Sequence, residues 1–379
     1  MTKKILIWVL IIVIIVIGVI AGYFFQNMLK FKEQRQEQEV PPVSLPSEEG
    51  IFLPAGEFRE TRPEAVKMVE DLGEREKIVS DIVCKKEEFK DPRGKIYLSL
   101  QNIDEQTVGI YEFDVKMKVL NEYLKKEGCN NLTVSFSLDK RYITFVSDCE
   151  ENRETIAIAR SDKSESKFLK LSLTGDGFFS RPIFSPNGKE IAFTFIPSVS
   201  DILAESGRTY IFDLEGKEKF STAGTMPIFS PDGKYLLVLK NPGIYKINLE
   251  TGEVERVVEL RDVNNQLILG RLNMMISLSQ DGKKLSLSNV ERNEIYVFEI
   301  ESWEPFNYKL IAQLKANGFW NQFSPDGKYL VLQESDLTSE GFPINPRISV
   351  IETCTFERLF SFDLKSYNPT AMWVTDWQY

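Results

Sequence analysis

Short apolar runs separated by turn residues fill the chain from Lys95 onward. The clearest set is KYLLVL from Lys234, IYKINL from Ile244 and VERVVEL from Val254. Pro-Asp-Gly at 231–233 and Asn-Pro-Gly at 241–243 separate these runs. Runs of this length, bounded by such turn residues, predict β-strands that pair as an antiparallel sheet.

One six-residue phrase recurs through this region. It reads FSPNGK from Phe184, FSPDGK from Phe229, LSQDGK from Leu278 and FSPDGK from Phe323, with a weaker copy, FSLDKR, from Phe136 and a last echo, WVTD, from Trp373. Successive copies start 45 to 50 residues apart. A period in the forties with strand-like flanks indicates one supersecondary unit that repeats around a ring or along a rod. Four strands to each unit is the pattern of propeller blades.

The two ends of the repeat region complement each other. Segments 95–100, 108–115 and 117–124 supply three strands, and residues 370–377 read as one further strand. We therefore predict that the C-terminal strand completes the first blade, beside the strand that begins at Lys95. The fold class is then all-β, a six-bladed propeller over residues 95–379, closed so that no long sheet edge is left bare.

The phrase itself predicts a tight turn between the first and second strands of each blade. Proline presets φ near −65°, and glycine accepts a positive φ. The residue before the turn glycine is Asn187 in one unit and Asp232, Asp281 and Asp326 in the next three. Because Asn and Asp both suit tight turns, this exchange favours a role in the turn over ion binding.

The N-terminal region has a different texture. Lys3 and Lys4 precede an uncharged run at residues 5–25, which would span roughly 31 Å as a helix and match a bilayer core. We predict a transmembrane signal anchor with residues 1–4 as its cytoplasmic tip and an extracytoplasmic propeller. A cleaved signal peptide, with Val19 and Ala21 at the cleavage site, is the alternative.

Between the anchor and the repeats we predict two segments. Residues 26–62 are charged and Gln-rich and then proline-rich, which is typical of a flexible linker. Residues 63–94 are predicted to form a short helical segment, because Thr61 suits an N-cap, Pro63 a first turn, and the apolar residues that follow recur at near-helical spacing. The alternative is that this segment is only a stiff part of the stalk between the membrane and the propeller.

Charge and composition exclude several classes of function. The net charge of −10 argues against nucleic-acid binding. The chain has no histidine, which rules out Ser-His-Asp and Cys-His catalysis, histidine metal ligands and histidine pH switches. We expect no cofactor and no metal site, since the four cysteines lack Cys-x-x-Cys spacing.

The cysteines predict disulfides instead. If Ser137 pairs with Arg141 across the second blade's turn, counting outward places Cys129 opposite Cys149, within bridging distance. A second bond between Cys84 and Cys354 would staple the segment before the first blade to the ring. Two reduced core cysteines are the alternative for the first pair. Disulfides indicate an oxidising compartment, in agreement with an extracytoplasmic propeller.

The recurring FSPDGK phrase, followed by an apolar strand, resembles the TolB-type six-bladed β-propeller repeat over residues 95–379. The resemblance implies the propeller fold and little about function, because propellers of this kind occur in scaffolds, receptors and peptidase-associated domains. TolB carries an α/β domain before its propeller, whereas a membrane helix, a linker and a short helical segment are predicted at that place in this chain. The hydrolase triad of related peptidases requires a histidine, so their chemistry does not transfer.

A binding face is predicted from loop length. The turns of the phrase occupy one face, and two long connections, residues 197–208 and 334–346, lie on the other. We expect Phe178 and Phe179 near the channel mouth. The candidate binding residues are Arg181, Asp201, Glu205, Arg208, Arg271, Phe319, Trp320, Asp336, Glu340 and Phe342.

These features favour a non-catalytic, membrane-tethered propeller that binds a protein, peptide or glycan partner, with residues 5–25 in the membrane. Aromatic side chains beside arginine are typical of interaction hot spots. One alternative is an enzyme that acts on polysaccharide or peptidoglycan with carboxylate or tyrosine residues in the central channel. The other is an architectural subunit of a membrane complex.

Overall fold

A computed structural model describes residues 66–67, 78–79, 89, 91–102, 107–150, 153–173, 177–197, 207–241, 243–261, 274–289, 293–316, 320–337, 343–367 and 369–379. The predicted tip, anchor and linker (1–4, 5–25 and 26–62) lie outside these residues. Among the residues described, no helix is both long and apolar enough to cross a bilayer.

Apart from one 3₁₀ helix at Lys365–Tyr367, the elements are strands. In chain order the strands are β1 (Val66–Lys67), β2 (Ile78–Val79), β3 (Lys95–Asn102), β4 (Val108–Asp114), β5 (Val119–Leu124), β6 (Asn131–Phe136), β7 (Tyr142–Ser147), β8 (Thr155–Arg160), β9 (Ser166–Phe168), β10 (Phe178–Phe184), β11 (Glu190–Ile196), β12 (Arg208–Asp213), β13 (Glu218–Ala223), β14 (Thr225–Phe229), β15 (Tyr235–Lys240), β16 (Gly243–Asn248), β17 (Val254–Arg261), β18 (Met274–Leu278), β19 (Lys284–Asn289), β20 (Glu294–Trp303), β21 (Phe306–Lys315), β22 (Asn321–Phe323), β23 (Tyr329–Leu337), β24 (Pro343–Glu352), β25 (Arg358–Asp363) and β26 (Pro369–Gln378).

These strands form six antiparallel blades, as predicted. Blade 1 has the order β26-β3-β4-β5, and blades 2 to 6 follow as β6 to β9, β10 to β13, β14 to β17, β18 to β21 and β22 to β25. The first strands of the blades, here called the inner strands, contact one another in the cycle β6, β10, β14, β18, β22, β26 and back to β6. The ring is therefore closed.

The C-terminal strand closes the ring at the predicted place. β26 pairs antiparallel with β3, and Trp373 lies opposite Ser99. Met372, Val374 and Trp377 are buried in the core that blade 1 shares with blade 6. Blade 1 thus combines strands from the two ends of the repeat region, and no inner edge of this blade is left unpaired.

The position of the last phrase needs correction. In blades 2, 3, 4 and 6 the leading phenylalanine lies opposite the second residue of the apolar second strand, as Phe229 lies opposite Leu236. In blade 1 the residue opposite Ile96 is Trp377, not Trp373. The last copy of the phrase is therefore four residues later than the sequence predicted. The prediction was wrong because β26 has irregular register at Ala371 and Asp376 and no turn follows it.

Each turn is held by the same side-chain bonds. In blade 4, Ser230 Oγ donates to Asp232 Oδ1 at 2.6 Å, and Ser230 Oγ accepts the N–H of Tyr235 at 2.9 Å. Gly233 has φ of 74°, which glycine adopts at no steric cost. The serine hydroxyl makes the same bond to Asp139, Asn187, Asp281 and Asp326. Asn187 shows that an amide oxygen suffices, in agreement with a role in the turn.

The prediction of helix over residues 63–94 is wrong at the four residues between 63 and 83 that the structure describes. Val66–Lys67 is a strand parallel to the outer strand of blade 4, and Ile78–Val79 is antiparallel to the outer strand of blade 5. Val66 and Val79 are β-branched residues, which suit a sheet edge. Both strands add to a blade's outer edge, where backbone groups are otherwise unpaired.

Two faces follow from this topology. The turn face carries the phrase turns and the turns between third and fourth strands, because each inner strand runs toward it. The loop face, at the opposite end of the ring, carries the starts of the inner strands, the connections between second and third strands, and the crossovers between blades.

Candidate binding site at the central channel and loop face

Arg181 is the predicted binding residue that the structure places most informatively. It lies in inner strand β10 with φ of 51°, at a break in register between Ser180 and Ile183. Its Nη1 donates to the carbonyl oxygen of Ile276, in the inner strand of blade 5. Since blade 4 lies between blades 3 and 5, the arginine side chain spans blade 4 on the channel side.

The environment of Arg181 is poor in compensating charge. Burial lowers the pKa of its guanidinium to about 10, and the Asp376 carboxylate opposes this shift. Within the described part of the chain, the Ile276 oxygen is the one hydrogen-bond acceptor that this guanidinium reaches. A guanidinium carries five N–H donors, so this one has donors to spare for an anionic ligand.

Asp376 is a buried carboxylate on inner strand β26. Its Oδ2 accepts the backbone N–H of Phe136 at 2.9 Å, and its Oδ1 accepts the N–H of Trp377 at 2.7 Å and the Nε2–H of Gln378 at 3.2 Å. The bond to Phe136 joins blade 1 to blade 2. Asp376 therefore fastens the strand that closes the ring to the next blade.

An equivalent hydrogen bond with a neutral acceptor joins blades 5 and 6. Phe323 N–H in blade 6 donates to Ser277 Oγ in blade 5 at 3.4 Å. Ser277 precedes Leu278 as Asp376 precedes Trp377, so the two side chains occupy equivalent positions. The structural role of Asp376 is not predicted when the last phrase is aligned on Trp373, whereas alignment on Trp377 reveals it.

The charge of Asp376 is expected to lower stability near neutral pH. Burial raises the pKa of Asp376 from 3.8 to about 6. The protonated carboxyl therefore stabilises the fold fully below the unfolded-state pKa, and this stabilisation is lost as pH rises through 6. In Asp376→Asn, the free energy of unfolding should rise relative to the unmodified chain by about 2–3 kcal/mol between pH 4 and pH 7. Urea titrations across that pH range measure this difference.

Asp139→Asn is the control for this prediction. The Ser137 hydroxyl lowers the pKa of Asp139, so its stabilising contribution appears as pH rises. The difference profile of this variant should therefore slope in the opposite direction. A profile for Asp376→Asn that stays flat from pH 4 to pH 7 would contradict the assignment.

The other predicted binding residues are divided between described and undescribed parts of the chain. Arg208 begins β12 at the loop face and is exposed. Trp320 precedes β22 and packs against the core between blades 6 and 1, half-buried. Asp201, Glu205, Arg271, Phe319, Glu340 and Phe342 lie outside the described residues.

The two phenylalanines at the start of β10 have different environments. Phe178 is 40% exposed at the loop face. Phe179 is buried, with its ring centroid 5.0 Å from Phe195 and 5.6 Å from Phe193. Phe178 is thus available to a partner, whereas Phe179 fills the core between blades 2 and 3.

The predicted loop at 334–346 is shorter than expected. β23 and β24 pair as far as Leu337 opposite Pro343, so the loop prediction is wrong at 334–337 and 343–346. Ionic contacts hold this extended hairpin: Arg347 Nη1 lies 2.7 Å from Asp336 Oδ1, and Arg347 Nε lies 3.8 Å from Glu334 Oε2. The Arg347 guanidinium lowers the pKa of Asp336, whose carboxylate is engaged within the blade.

A disulfide joins Cys129 and Cys149, the predicted pair, with an S–S distance of 2.01 Å. Cys354 is buried and disulfide-bonded. Cys84 lies outside the described residues, so the Cys84–Cys354 bond stays a prediction. Asp148 and the two paired sulfurs form the one metal-like cluster among the described residues, but the sulfurs are bonded to each other.

A channel enzyme would need clustered acids or a tyrosine on the inner strands. Among the inner-strand residues that the structure describes, Asp376 is the one carboxylate, and no tyrosine is present. Asp376 is saturated by three N–H donors.

Comparison with known proteins supports the fold. No family model matches the chain, and no curated protein matches it. TolB from Acinetobacter baumannii aligns with a TM-score of 0.54 at 20% identity, over 75% of this chain and 66% of that chain. A nidogen/laminin complex aligns at 0.53 and 12% identity, over 74% of this chain and 97% of that chain.

An oligogalacturonate lyase in complex with manganese aligns at 0.48 and 11% identity, over 70% of this chain and 73% of that chain. The chain spans about two thirds of the length of the Acinetobacter protein. At these identities the likeness shows the fold alone, which is a TolB-type six-bladed β-propeller.

Proposed function

We propose that this TolB-type propeller is a non-catalytic binding protein, tethered to a membrane through residues 5–25, that holds a protein, peptide or glycan partner at its loop face. The observation that supports this function best is the Arg181 guanidinium in the channel, half-buried, with a single carbonyl acceptor among the described residues. A half-buried cation with unused donors gains most from an incoming anionic group.

Neighbouring groups favour binding at the same face. Phe178 is exposed two positions before Ser180, where the register break around Arg181 begins, and Arg208 is exposed at the start of β12. Aromatic and arginine side chains dominate the energetics of protein interfaces. Rigid blades present such groups with little loss of entropy on binding.

Replacement of Arg181 is the direct test. The full chain would be cross-linked in membranes of its source organism and recovered with its partners, as the unmodified chain and as Arg181→Met. Methionine keeps an unbranched apolar stem but removes the charge. We expect capture of the principal partner to fall at least tenfold, because its anionic group loses its charged partner.

Arg160→Met is the matched control, since Arg160 is exposed at the end of β8 and pairs with Asp162 at 3.9 Å. Its partner profile should not change. A third chain, with residues 197–208 replaced by a short turn, tests the loop face separately. If both Arg181→Met and the loop replacement melt normally and capture the same partners in the same amounts, the loop-face proposal is wrong.

A further inference from the structure

Exposed apolar side chains are concentrated on the turn face of three consecutive blades. Among the described residues, eight large apolar side chains are exposed, and two of them, Phe178 and Ile344, lie at the loop face. The described turns of blades 3, 4 and 5 contribute none. The other six, on blades 6, 1 and 2, define the apolar turn surface: Met117, Val119, Leu138, Tyr142, Leu359 and Tyr379.

Ordered turns hold the two most exposed members. Met117 is 69% exposed, and Asp114 Oδ1 accepts its backbone N–H at 2.8 Å. Leu138 is 55% exposed in a turn closed by Ser137 N–H to the Tyr142 oxygen at 2.9 Å. The apolar groups are therefore presented in fixed positions.

The turn of blade 2 departs from the repeat at two positions. Leu138 stands where blades 3, 4 and 6 have proline, and Lys140 stands where the other copies have glycine. Lys140 has φ of 60°, a conformation that costs a residue other than glycine roughly 1 kcal/mol. Its Nζ reaches the Tyr379 oxygen at 3.0 Å. The repeat is thus broken at the place where an apolar and a basic side chain are exposed together.

Basic side chains accompany the apolar ones. The turns at 114–118 and 138–142 contain four basic and two acidic residues, a net charge of +2 in a chain of −10. Both acids are engaged: Asp114 accepts backbone N–H groups, and Asp139 accepts from Ser137 and Arg141. Lys116, Lys118, Lys140 and Arg141 are exposed. Lys118 Nζ lies over the Phe360 ring, and Arg141 Nε lies 3.7 Å from Asp139 Oδ2. Apolar tips flanked by lysine and arginine suit the interface of an anionic bilayer.

We infer that the apolar turn surface docks on the headgroup region of an anionic phospholipid bilayer. This inference rests on the proposed anchor at 5–25, because the 40 residues at 26–65 separate that run from β1. As the flexible linker that the sequence predicts, a chain of that length would span roughly 35 Å and would hold the propeller at a high effective concentration beside the bilayer. The loop face, with Arg181, points away from the membrane.

Site-specific photocross-linking tests this orientation. The full chain is reconstituted in nanodiscs of phosphatidylcholine and phosphatidylglycerol, with a photoreactive residue at position 117, 138 or 344. Ile344 is the control, since it is 42% exposed on the loop face. We expect lipid adducts at 117 and 138 to exceed those at 344 at least tenfold, and Leu138→Glu to reduce the adducts at 117. Equal lipid adducts at all three positions, or cross-links from 117 and 138 to a second copy in their place, would overturn the inference.

Failure of the anchor is distinguished by alkaline extraction. A chain that leaves the bilayer at high pH has no transmembrane anchor, and the membrane part of the proposed function then fails. If the anchor fails in this way, cosedimentation of the same chain with vesicles of the same lipids tests the docking surface. Binding that is lost in Leu138→Glu and kept in Ile344→Glu supports the docking surface, and absence of binding overturns it.

Discussion

Deletion of residues 369–379 is expected to abolish the cooperative unfolding transition of the propeller. The deletion removes the inner strand of blade 1 and three buried apolar side chains, Met372, Val374 and Trp377. The loss of one large core side chain costs about 2–5 kcal/mol, whereas a domain is stable by about 5–15 kcal/mol. The deletion also removes the pairing with β3 and the bond from Phe136 N–H to Asp376.

Urea unfolding followed by circular dichroism and by tryptophan fluorescence measures this effect. Removal of Tyr379 alone is the control, because this residue follows β26 and is 39% exposed. That variant should keep a single transition. A synthetic peptide of residues 365–379, added to the deleted chain, should restore part of the transition. An unchanged midpoint in the deleted chain would refute closure by β26.

Trp377→Ala is expected to be the most damaging single substitution in the closing strand. Trp377 is 1% exposed, its ring centroid lies 6.0 Å from that of Tyr329, and its Nε1 donates to the Arg93 oxygen at 2.9 Å. The substitution leaves a cavity between blades 6 and 1 and an unpaired carbonyl. We expect the free energy of unfolding to fall by about 3–5 kcal/mol.

Trp373→Ala is the matched control for size and strand. Trp373 lies opposite Ser99 and is only half-buried, so its replacement should cost clearly less. Denaturant titrations of the two variants rank them directly. If Trp373→Ala proved the more destabilising, Trp377 would not be the core residue that corresponds to the phrase phenylalanines.

Sequence alone could predict the blades because the information is local. Pro231, Asp232 and Gly233 encode a turn through their own backbone preferences. The spacing of the copies gives the length of one blade, and their number gives the number of blades. Closure by β26 followed from a count of strands. These inferences need no knowledge of how distant segments meet.

The Cys129–Cys149 pair shows how a correct result can rest on a wrong register. Ser137 was expected opposite Arg141, but its N–H bonds to the Tyr142 oxygen, one residue further along. A break in register between Leu132 and Ser135, with Thr133 at φ of 50°, shifts the pairing back by one residue. The wrong pairing at the turn and the unpredicted bulge each shift the register by one residue, in opposite directions, so the pairing of the cysteines is unaffected. Bulges of this kind carry no reliable sequence signal.

The site was less accessible to prediction because it depends on geometry across the ring. That Arg181 lies in an inner strand followed from its place three residues before Phe184. Its contact with Ile276, 95 positions later, requires the curvature that brings blades 3 and 5 to one channel. The hairpin at 334–346 was missed for another reason. Its proline and glycine residues indicated a loop, whereas ionic contacts between β23 and β24 extend the strands.

The pairing of β26 with β3 also sets an order of events during biosynthesis. Arg93 and Trp377, which share a hydrogen bond, are 284 positions apart. At about 5–20 residues per second, the ribosome needs roughly 15–60 s to make the intervening chain. During this interval the first sheet to emerge exposes the backbone of β3 without its partner. A nascent chain of this kind depends on chaperones or on rapid translation to avoid pairing with the wrong strand.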